Sequence, residues 1–237
     1  MTEEFDRSQI ERLDIEQLLS FKMLKAMHRS ERDSFPDELS LRTHRALSWL
    51  DRSEQEGDDG DGRFIFLWIA FNAAYAQEIH DRRGFTERRL LIRYLGRLME
   101  ADDHKLVYNA VWNSYSDSIR ILLDNRFVFQ PFWDYHAGRI DEADWLERFR
   151  KSKDAVTRSL GRQNTRKLLA IVFDRLYTLR NQLVHGGSTW NSGVNRDQVN
   201  EGARILGLLV PLMVFLMMYR PSQDWGEPCY PVISETG

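Results

Sequence analysis

The sequence contains little cysteine, which cross-links small secreted proteins through disulfides, and little proline, which interrupts helices. Its single cysteine, Cys229, excludes an internal disulfide and a multi-cysteine metal site. Only six prolines occur, and three of them (Pro221, Pro228 and Pro231) fall near the C-terminal end. There is no basic excess either: the net charge is −3, so any contact with nucleic acid needs a local patch. The lack of disulfides fits a reducing compartment, and we predict a cytoplasmic protein.

Long apolar runs are also scarce. Acidic residues near the N-terminus (Glu3, Glu4, Asp6) do not form the basic-then-apolar layout of a secretory signal. The one long apolar run, 205–219, contains Pro211 and has about 15 residues, fewer than the roughly 20 that an α-helix needs to cross a bilayer. We therefore predict a soluble protein with no membrane partner, in which this run forms a buried core or interface helix.

Apolar residues recur at helical spacing along most of the chain, which predicts an all-α protein. Hydrophobic residues make up 42% of the sequence, enough for a substantial core. We predict one domain over 1–237, with an extra N-terminal helix at about 7–30 and an irregular tail over 221–237. In the middle, 125–138 departs from helical spacing and is predicted to be an irregular, aromatic-rich excursion that covers part of the bundle. Its rings fit core or interface packing, or stacking on unpaired bases.

No pattern for a metal or cofactor is present. Four histidines have no metal-ligand spacing: His28, His44, His80 and His136. The acidic run 56–62 lacks the alternating ligands of a calcium loop. It is predicted to be a solvated turn whose aspartates lie near the N-terminus of the next helix. We predict no metal and no cofactor.

The strongest helical pattern, 164–184, ends in residues that could carry chemistry. Gly186 and Gly187 favour a helix end there. Arg180 and His185 stand at this C-terminal end, where carbonyl dipoles favour positive charge. Histidine can exchange a proton near neutral pH, and arginine presents a forked set of donors to phosphate oxygens. Together they suffice for metal-independent RNA cleavage: histidine assists attack of the ribose 2′-OH on phosphorus, and arginine stabilises the developing charge.

The spacing of this pair imposes a geometric condition. Five residues along an α-helix rotate by about 140°, so Arg180 and His185 do not share one helix face. A two-fold dimer that brings two such helix ends together would complete the site. The spacing alone is not specific, because Arg97 and His104 form a second pair in a less suitable context. A helix end stabilised by two cations, without catalysis, gives the same pattern.

The segment from Arg180 to His185 (RNQLVH) resembles the active-site motif of HEPN-domain ribonucleases, in which a polar residue, here Asn181, follows the arginine. The segment 66–75 is similar to the early helix of several HEPN-like families. The resemblance covers about 40–220 and implies an up-and-down helical bundle as the core. HEPN toxins that are paired with nucleotidyltransferase antitoxins have a tyrosine where this chain has Gly187, so that mode of regulation is not implied.

The resemblance implies a homodimeric endoribonuclease of the toxin or defence-effector type. Arg180 and His185 of both protomers would line one cleft, Asn181 would orient or hydrogen-bond, and Asn72 on the facing helix would contact substrate. RNA and an antitoxin or regulatory protein are the expected partners. The alternative is a non-catalytic module that binds RNA, a nucleotide or a protein partner through the same cleft.

Basic residues are concentrated before the motif: 148–167 holds eight, against one acid. Arg158, Arg162 and Arg166 would share one face of a continuous helix, which predicts a phosphate-tracking surface. An ordinary solvated face gives the same pattern. In the loop after the motif, Trp190 is placed to stack on a base beside the scissile bond.

Overall fold

Helices account for almost all regular structure in the computed structural model, which describes residues 19–77, 87–114 and 116–230. These ranges contain ten α-helices and no β-strand, so the predicted all-α class is confirmed. In chain order the helices are α1 (Phe21–Glu31), α2 (Asp37–Glu54), α3 (Gly60–Tyr75), α4 (Glu87–Ala101), α5 (Leu106–Asn109), α6 (Ser116–Asp124), α7 (Gln130–His136), α8 (Glu142–Gly161), α9 (Thr165–Val184) and α10 (Arg196–Tyr219).

The core is built around α10. This helix is long and apolar enough to cross a membrane by length and composition, yet 83% of its most apolar window is buried inside the protein. Every residue from 208 to 218 is buried, including Pro211. α3 packs against both α2 and α10, and α9 packs against α4 and α10. The prediction of a buried core helix is therefore confirmed for the apolar run.

Side chains at the helix ends explain where several helices begin and stop. Asn164 precedes α9 and accepts a hydrogen bond from the backbone N–H of Lys167 at 3.0 Å. Asp59 caps α3 by accepting two backbone N–H groups of its first turn. Gly186, just past the end of α9, has φ +70°, a conformation that glycine adopts without strain. The acidic run stands beside a helix N-terminus, as predicted. The predicted solvated turn is wrong for 60–62, which form the first turn of α3, with Asp61 only 7% exposed.

The aromatic segment 125–138 is more regular than the predicted irregular excursion. A 3₁₀ turn, Arg126–Val128, leads into α7, whose first turn contains Pro131. α7 has seven residues, too few for a helical period to emerge from the sequence. The buried Phe132 packs edge-on against Trp145 of α8, with 5.3 Å between ring centroids. Part of the segment therefore packs as a small apolar cluster on the bundle.

The ends of the predicted domain are only partly described. Within the described residues the N-terminal helix starts at Phe21. Positions 7–18 of the helix predicted at about 7–30 lie outside the described residues, as do tail positions 231–237. Tail residues 221–230 contain no helix, as predicted. Arg42, 1% exposed, donates hydrogen bonds to the backbone oxygens of Ala76 and Trp225 and so fastens the tail to α2.

Candidate functional site

A cavity of about 860 Å³ opens beside α9, at the level of the predicted motif. Side chains of α3, α4, α8 and α9 line it, together with the segment 129–131. Five lining side chains are cationic and two are carboxylates: Arg88, Arg148, Lys151, Arg175 and Arg180 against Glu87 and Asp174. Aromatic rings complete the wall: Trp68, Phe71, Tyr75, Phe129, Phe173 and Tyr177. Such a lining suits an anionic ligand that also carries a ring.

Three predicted site residues meet at this cavity. Arg180 and Asn181 of α9 and Asn72 of α3 all line it. Arg180 donates a hydrogen bond from Nη1 to the side-chain oxygen of Asn181 at 3.0 Å. Nε of Arg180 is buried and has no hydrogen-bond partner among the described residues. Since an unpaired buried donor costs free energy, an arriving phosphate oxygen would be stabilised there.

His185 is exposed and does not line the cavity. It is the residue at which α9 ends, and its backbone N–H donates to the carbonyl of Asn181 at 3.0 Å. A five-residue separation gives a rise of about 7.5 Å and a rotation of about 140°, so His185 and Arg180 leave α9 on different sides. The geometric condition inferred from the spacing thus applies to the folded chain, because one protomer presents the two groups apart.

Trp190 lies against the start of α3 rather than in the cavity. Its indole N–H donates to the carboxylate of Asp59 at 3.0 Å, while the side chain is 74% exposed. The backbone N–H of Gly62 and this indole together lower the pKa of Asp59. Trp190 is therefore separate from the cavity, although its ring remains open to solvent. Base stacking by Trp190 stays a prediction, now for a place outside the cavity.

A second contact fastens the loop that follows His185. The carboxylate of Asp61, a residue only 7% exposed, accepts the backbone N–H of Asn191 and the guanidinium of Arg196, both at 2.8 Å. Asp61 belongs to the first turn of α3. The loop between α9 and α10 is therefore held to the N-terminal end of α3 by a partly buried charge pair.

The predicted row of arginines is interrupted. A turn at 162–164, in which Gln163 has φ +49°, separates α8 from α9. Arg158, Arg162 and Arg166 therefore do not lie on one continuous helix, and the condition for their alignment is not met. None of the three lines the cavity, and Arg166 lines a second, open pocket against α4. Their part in RNA binding stays a prediction.

The competing pair is engaged elsewhere. Arg97 forms an ion pair with Asp224, and Nε2 of His104 lies 3.1 Å from the hydroxyl of Tyr219. Both contacts join the C-terminal part of the chain to the bundle. This favours Arg180 and His185 as the pair available to a ligand.

Arg175 is a site residue that sequence reasoning missed. It lines the cavity but is only 3% exposed, and its guanidinium lies over the ring of Phe129 at 4.2 Å. Nη2 donates to the hydroxyl of Ser152 at 2.9 Å, while Nε has no partner among the described residues. Burial lowers the pKa of Arg175 to about 10. A signal existed: Arg175 interrupts an apolar stripe of α9 between Val172 and Leu179.

No protein-family model, no curated protein and no solved structure matches the chain. Within the described ranges, no three His, Cys, Asp or Glu side chains lie close enough together to hold a metal ion. Most charged groups at the cavity are instead donors to anions, with five guanidinium or ammonium groups against the two carboxylates of Glu87 and Asp174.

Proposed function

We propose that the protein is a metal-independent endoribonuclease of the HEPN type, which acts as a homodimer in the cytoplasm. One observation carries the proposal: Arg180 and Asn181 are joined on the wall of a cationic, aromatic-lined cavity, and His185 is exposed at the end of the same helix. The resemblance to HEPN ribonucleases implies one cleft lined by both side chains, and a two-fold dimer would complete it by bringing the partner's His185 to Arg180. A toxin or defence effector of this kind would be controlled by an antitoxin or another regulatory protein.

The proposed reaction is an internal transfer within RNA. His185 accepts the proton of a ribose 2′-OH, and the resulting oxygen attacks the adjacent phosphorus. The bond from phosphorus to the 5′ oxygen breaks, which leaves a 2′,3′-cyclic phosphate. The partner's His185 supplies the proton that the departing 5′ oxygen takes up. Arg180 donates to the phosphate oxygens while negative charge accumulates on them, and Asn181 orients that guanidinium.

The surface around the end of α9 supports a dimer. Phe127, Trp133 and Val184 are 41%, 38% and 50% exposed. The side chains of Gln182 and Trp133 both donate to the backbone oxygen of Phe127 at 2.7 Å. Because Gln182 belongs to α9, these bonds join the apolar surface to the helix that carries Arg180. Exposed apolar side chains close to a polar site favour docking of a second copy, and a two-fold arrangement would bring two helix ends together.

The lining of the cavity favours unpaired RNA as the substrate. Tyr177, 43% exposed, packs against Trp68 with 6.1 Å between ring centroids. Aromatic faces bind bases only where the bases are unstacked and unpaired, as in single strands and loops. The cationic side chains of the same wall would neutralise the phosphates between those bases.

A second candidate function is a non-catalytic module that binds RNA through the cavity. It is favoured by the position of His185, which lies outside the cavity although Arg180 and Asn181 line it. In that case the guanidinium would bind phosphate without a proton acceptor beside the ribose.

Cleavage of a labelled single-stranded RNA in EDTA tests the proposal. We expect the wild type to cut the RNA and leave the all-deoxy strand of the same sequence intact. Arg180→Ala and His185→Ala should each abolish cleavage without lowering the melting temperature. His136→Ala and Arg204→Ala replace an exposed histidine and an exposed arginine that do not line the cavity, and should cut like the wild type.

The possible outcomes separate the two candidate functions. Unchanged cleavage by both site variants would overturn the assignment of the site, and cleavage of the deoxy strand would overturn the 2′-OH mechanism. RNA binding without turnover by the dimeric wild type, weakened in Arg180→Ala but not in His185→Ala, would favour the binding module.

A further inference from the structure

Arg175 is a buried cation with no carboxylate partner among the described residues. The adjacent Asp174 pairs instead with Arg88, at 3.0 Å. A guanidinium that is 3% exposed and still lacks an acceptor at Nε is costly to hold in a folded protein. A residue of this kind is explained if an anion that enters the cavity supplies the missing acceptor.

The contacts of Arg175 hold it in place for a ligand. Its guanidinium rests on the ring of Phe129 at 4.2 Å, and Nη2 donates to Ser152 at 2.9 Å. Phe129 in turn packs on Phe149 of α8, with 5.3 Å between ring centroids. The guanidinium is thus fixed between α8 and α9. An acceptor would gain hydrogen bonds without the cost of ordering a flexible side chain.

One face of α8 adds further donors. Arg148, Lys151, Ser152 and Ala155 all line the cavity and follow one another at intervals of three, one and three residues, so they share one helix face. Arg148 and Lys151 have ion-pair neighbours on α8, but these pairs are exposed, and exposed pairs are weak enough to exchange for a ligand. The α8 wall therefore carries two cations and a hydroxyl beside Arg175.

We propose that Arg175, Ser152, Arg148 and Lys151 form a binding site for the phosphate group of a small molecule. A planar guanidinium together with a hydroxyl and an ammonium matches the oxygens of phosphate in geometry and in charge. The volume of the cavity, about 860 Å³, lies in the range of small-molecule sites. The ligand is either inorganic phosphate or a phosphate monoester whose remaining part lies among the aromatic side chains.

The site goes beyond the proposed cleavage chemistry and does not depend on it. Arg175 and Arg180 both line the cavity, about 7.5 Å apart along α9, so a small-molecule phosphate held by Arg175 would lie beside the scissile phosphate held by Arg180. His185→Ala should retain the phosphate site, whether or not the chain cleaves RNA.

Calorimetric titration of the full chain, without RNA, tests the proposal. The ligands are inorganic phosphate, adenosine 5′-monophosphate and adenosine, each at an ionic strength matched with potassium chloride. We expect phosphate or the monophosphate to bind and adenosine to bind at least about tenfold more weakly, since it lacks the charged acceptor. Tighter binding of the monophosphate than of phosphate would identify a monoester as the ligand, and equal affinities would identify free phosphate.

Variants show whether Arg175 holds the phosphate. Arg175→Met replaces a buried cation by an apolar side chain of similar length, and should weaken phosphate binding by at least about tenfold. Lys151→Ala removes an exposed cation, leaves the core untouched, and should weaken binding about two- to fivefold. The matched control is Arg150→Ala, on the same helix and 62% exposed but outside the cavity, which should bind like the wild type.

Two results would overturn the site. One is the absence of heat beyond that of potassium chloride for phosphate and for the monophosphate. The other is equal affinity in the wild type, Arg175→Met and Lys151→Ala. Should Arg175→Met not fold, the comparison of Lys151→Ala with Arg150→Ala decides the outcome by itself.

Discussion

Arg180 donates a hydrogen bond to the side chain of its own neighbour, Asn181, at 3.0 Å on the wall of the cavity. Adjacent residues on a helix point in directions about 100° apart, so this bond draws the guanidinium toward the cavity side of α9. Nε remains without a partner among the described residues. Asn181 therefore orients Arg180 and leaves a donor available to phosphate.

Replacing Asn181 by alanine is expected to lower the rate of RNA cleavage more than it lowers the affinity. Loss of one hydrogen bond to a charged group costs about 1.5–3 kcal/mol, which corresponds to a fall in kcat of roughly ten- to a hundredfold. KM should change little, because the cationic wall remains. Single-turnover and steady-state kinetics separate the two quantities. A rise in KM with unchanged kcat would show instead that Asn181 binds substrate rather than orienting Arg180.

The apolar surface beside the motif predicts the effect of a charge at Val184. Val184→Glu places a carboxylate at this half-exposed position and should convert the proposed dimer to monomers, with loss of the proposed cleavage. Light scattering gives the mass, and the RNA assay gives the activity of the same sample. Ile121→Glu, at a side chain of α6 that is 57% exposed, is the control and should remain dimeric. A monomeric wild type that cleaves RNA would exclude the composite site.

The contribution of the contact between Asp61 and the loop after His185 to the stability of the protein can be measured. Asp61→Ala leaves the guanidinium of Arg196 and the backbone N–H of Asn191 without their acceptor, which should lower the free energy of unfolding by about 2–3 kcal/mol. Urea denaturation of the wild type and the variant measures this loss in the free energy of unfolding. Asp124→Ala, which breaks an exposed pair with Lys153, is the control, with a loss below about 1 kcal/mol. Equal losses in the two variants would argue against a special role for Asp61.

His28 predicts how stability depends on pH. It is 1% exposed, and burial lowers its pKa to about 4, with Lys25, His44 and Arg32 contributing repulsion. As the pH falls, His28 of the unfolded chain takes up a proton near the ordinary histidine pKa of about 6.5, whereas His28 of the folded chain does so only at lower pH. Stability is therefore full above about pH 6.5 and is lost as the pH falls toward 4, by roughly 3 kcal/mol from this group.

Urea denaturation between pH 4 and 7 tests this dependence. His28→Leu keeps an apolar side chain in the buried position and should flatten the profile over that interval. A profile that stays equally steep in His28→Leu would assign the loss of stability to other groups.

The ends of the long helices were accessible from the sequence because local chemistry determines them. Asn164 caps α9 through its own side chain, and Gly186 takes the left-handed conformation that ends it. The start of α3 was predicted less well, because 56–62 was expected to be a turn, yet the side chain of Asp59 caps a helix that begins at Gly60. In each case the residue responsible lies within a few positions of the helix end, so no tertiary information is needed.

The cavity could not be predicted in the same way. Its wall combines Asn72, Arg148 and Arg175, residues of three helices that are far apart in sequence. The burial of Arg175 depends on Phe129, which lies just before α7, a helix too short to show a period. Arg180 and Asn181 could be predicted from the sequence because both belong to one short segment whose residue types indicate its chemistry. The remaining donors become a site only when the helices pack.

The attachment of the loop after His185 to the start of α3 has a consequence for communication within the molecule. α3 carries Asp59 and Asp61 at one end, and Trp68 and Asn72 of the cavity wall nearer the other. A sixteen-residue helix is about 24 Å long and moves as a stiff rod. A movement of α3 at the cavity wall would therefore also move the loop that follows His185. Binding in the cavity and the alignment of His185 would thus be coupled through one helix, α3.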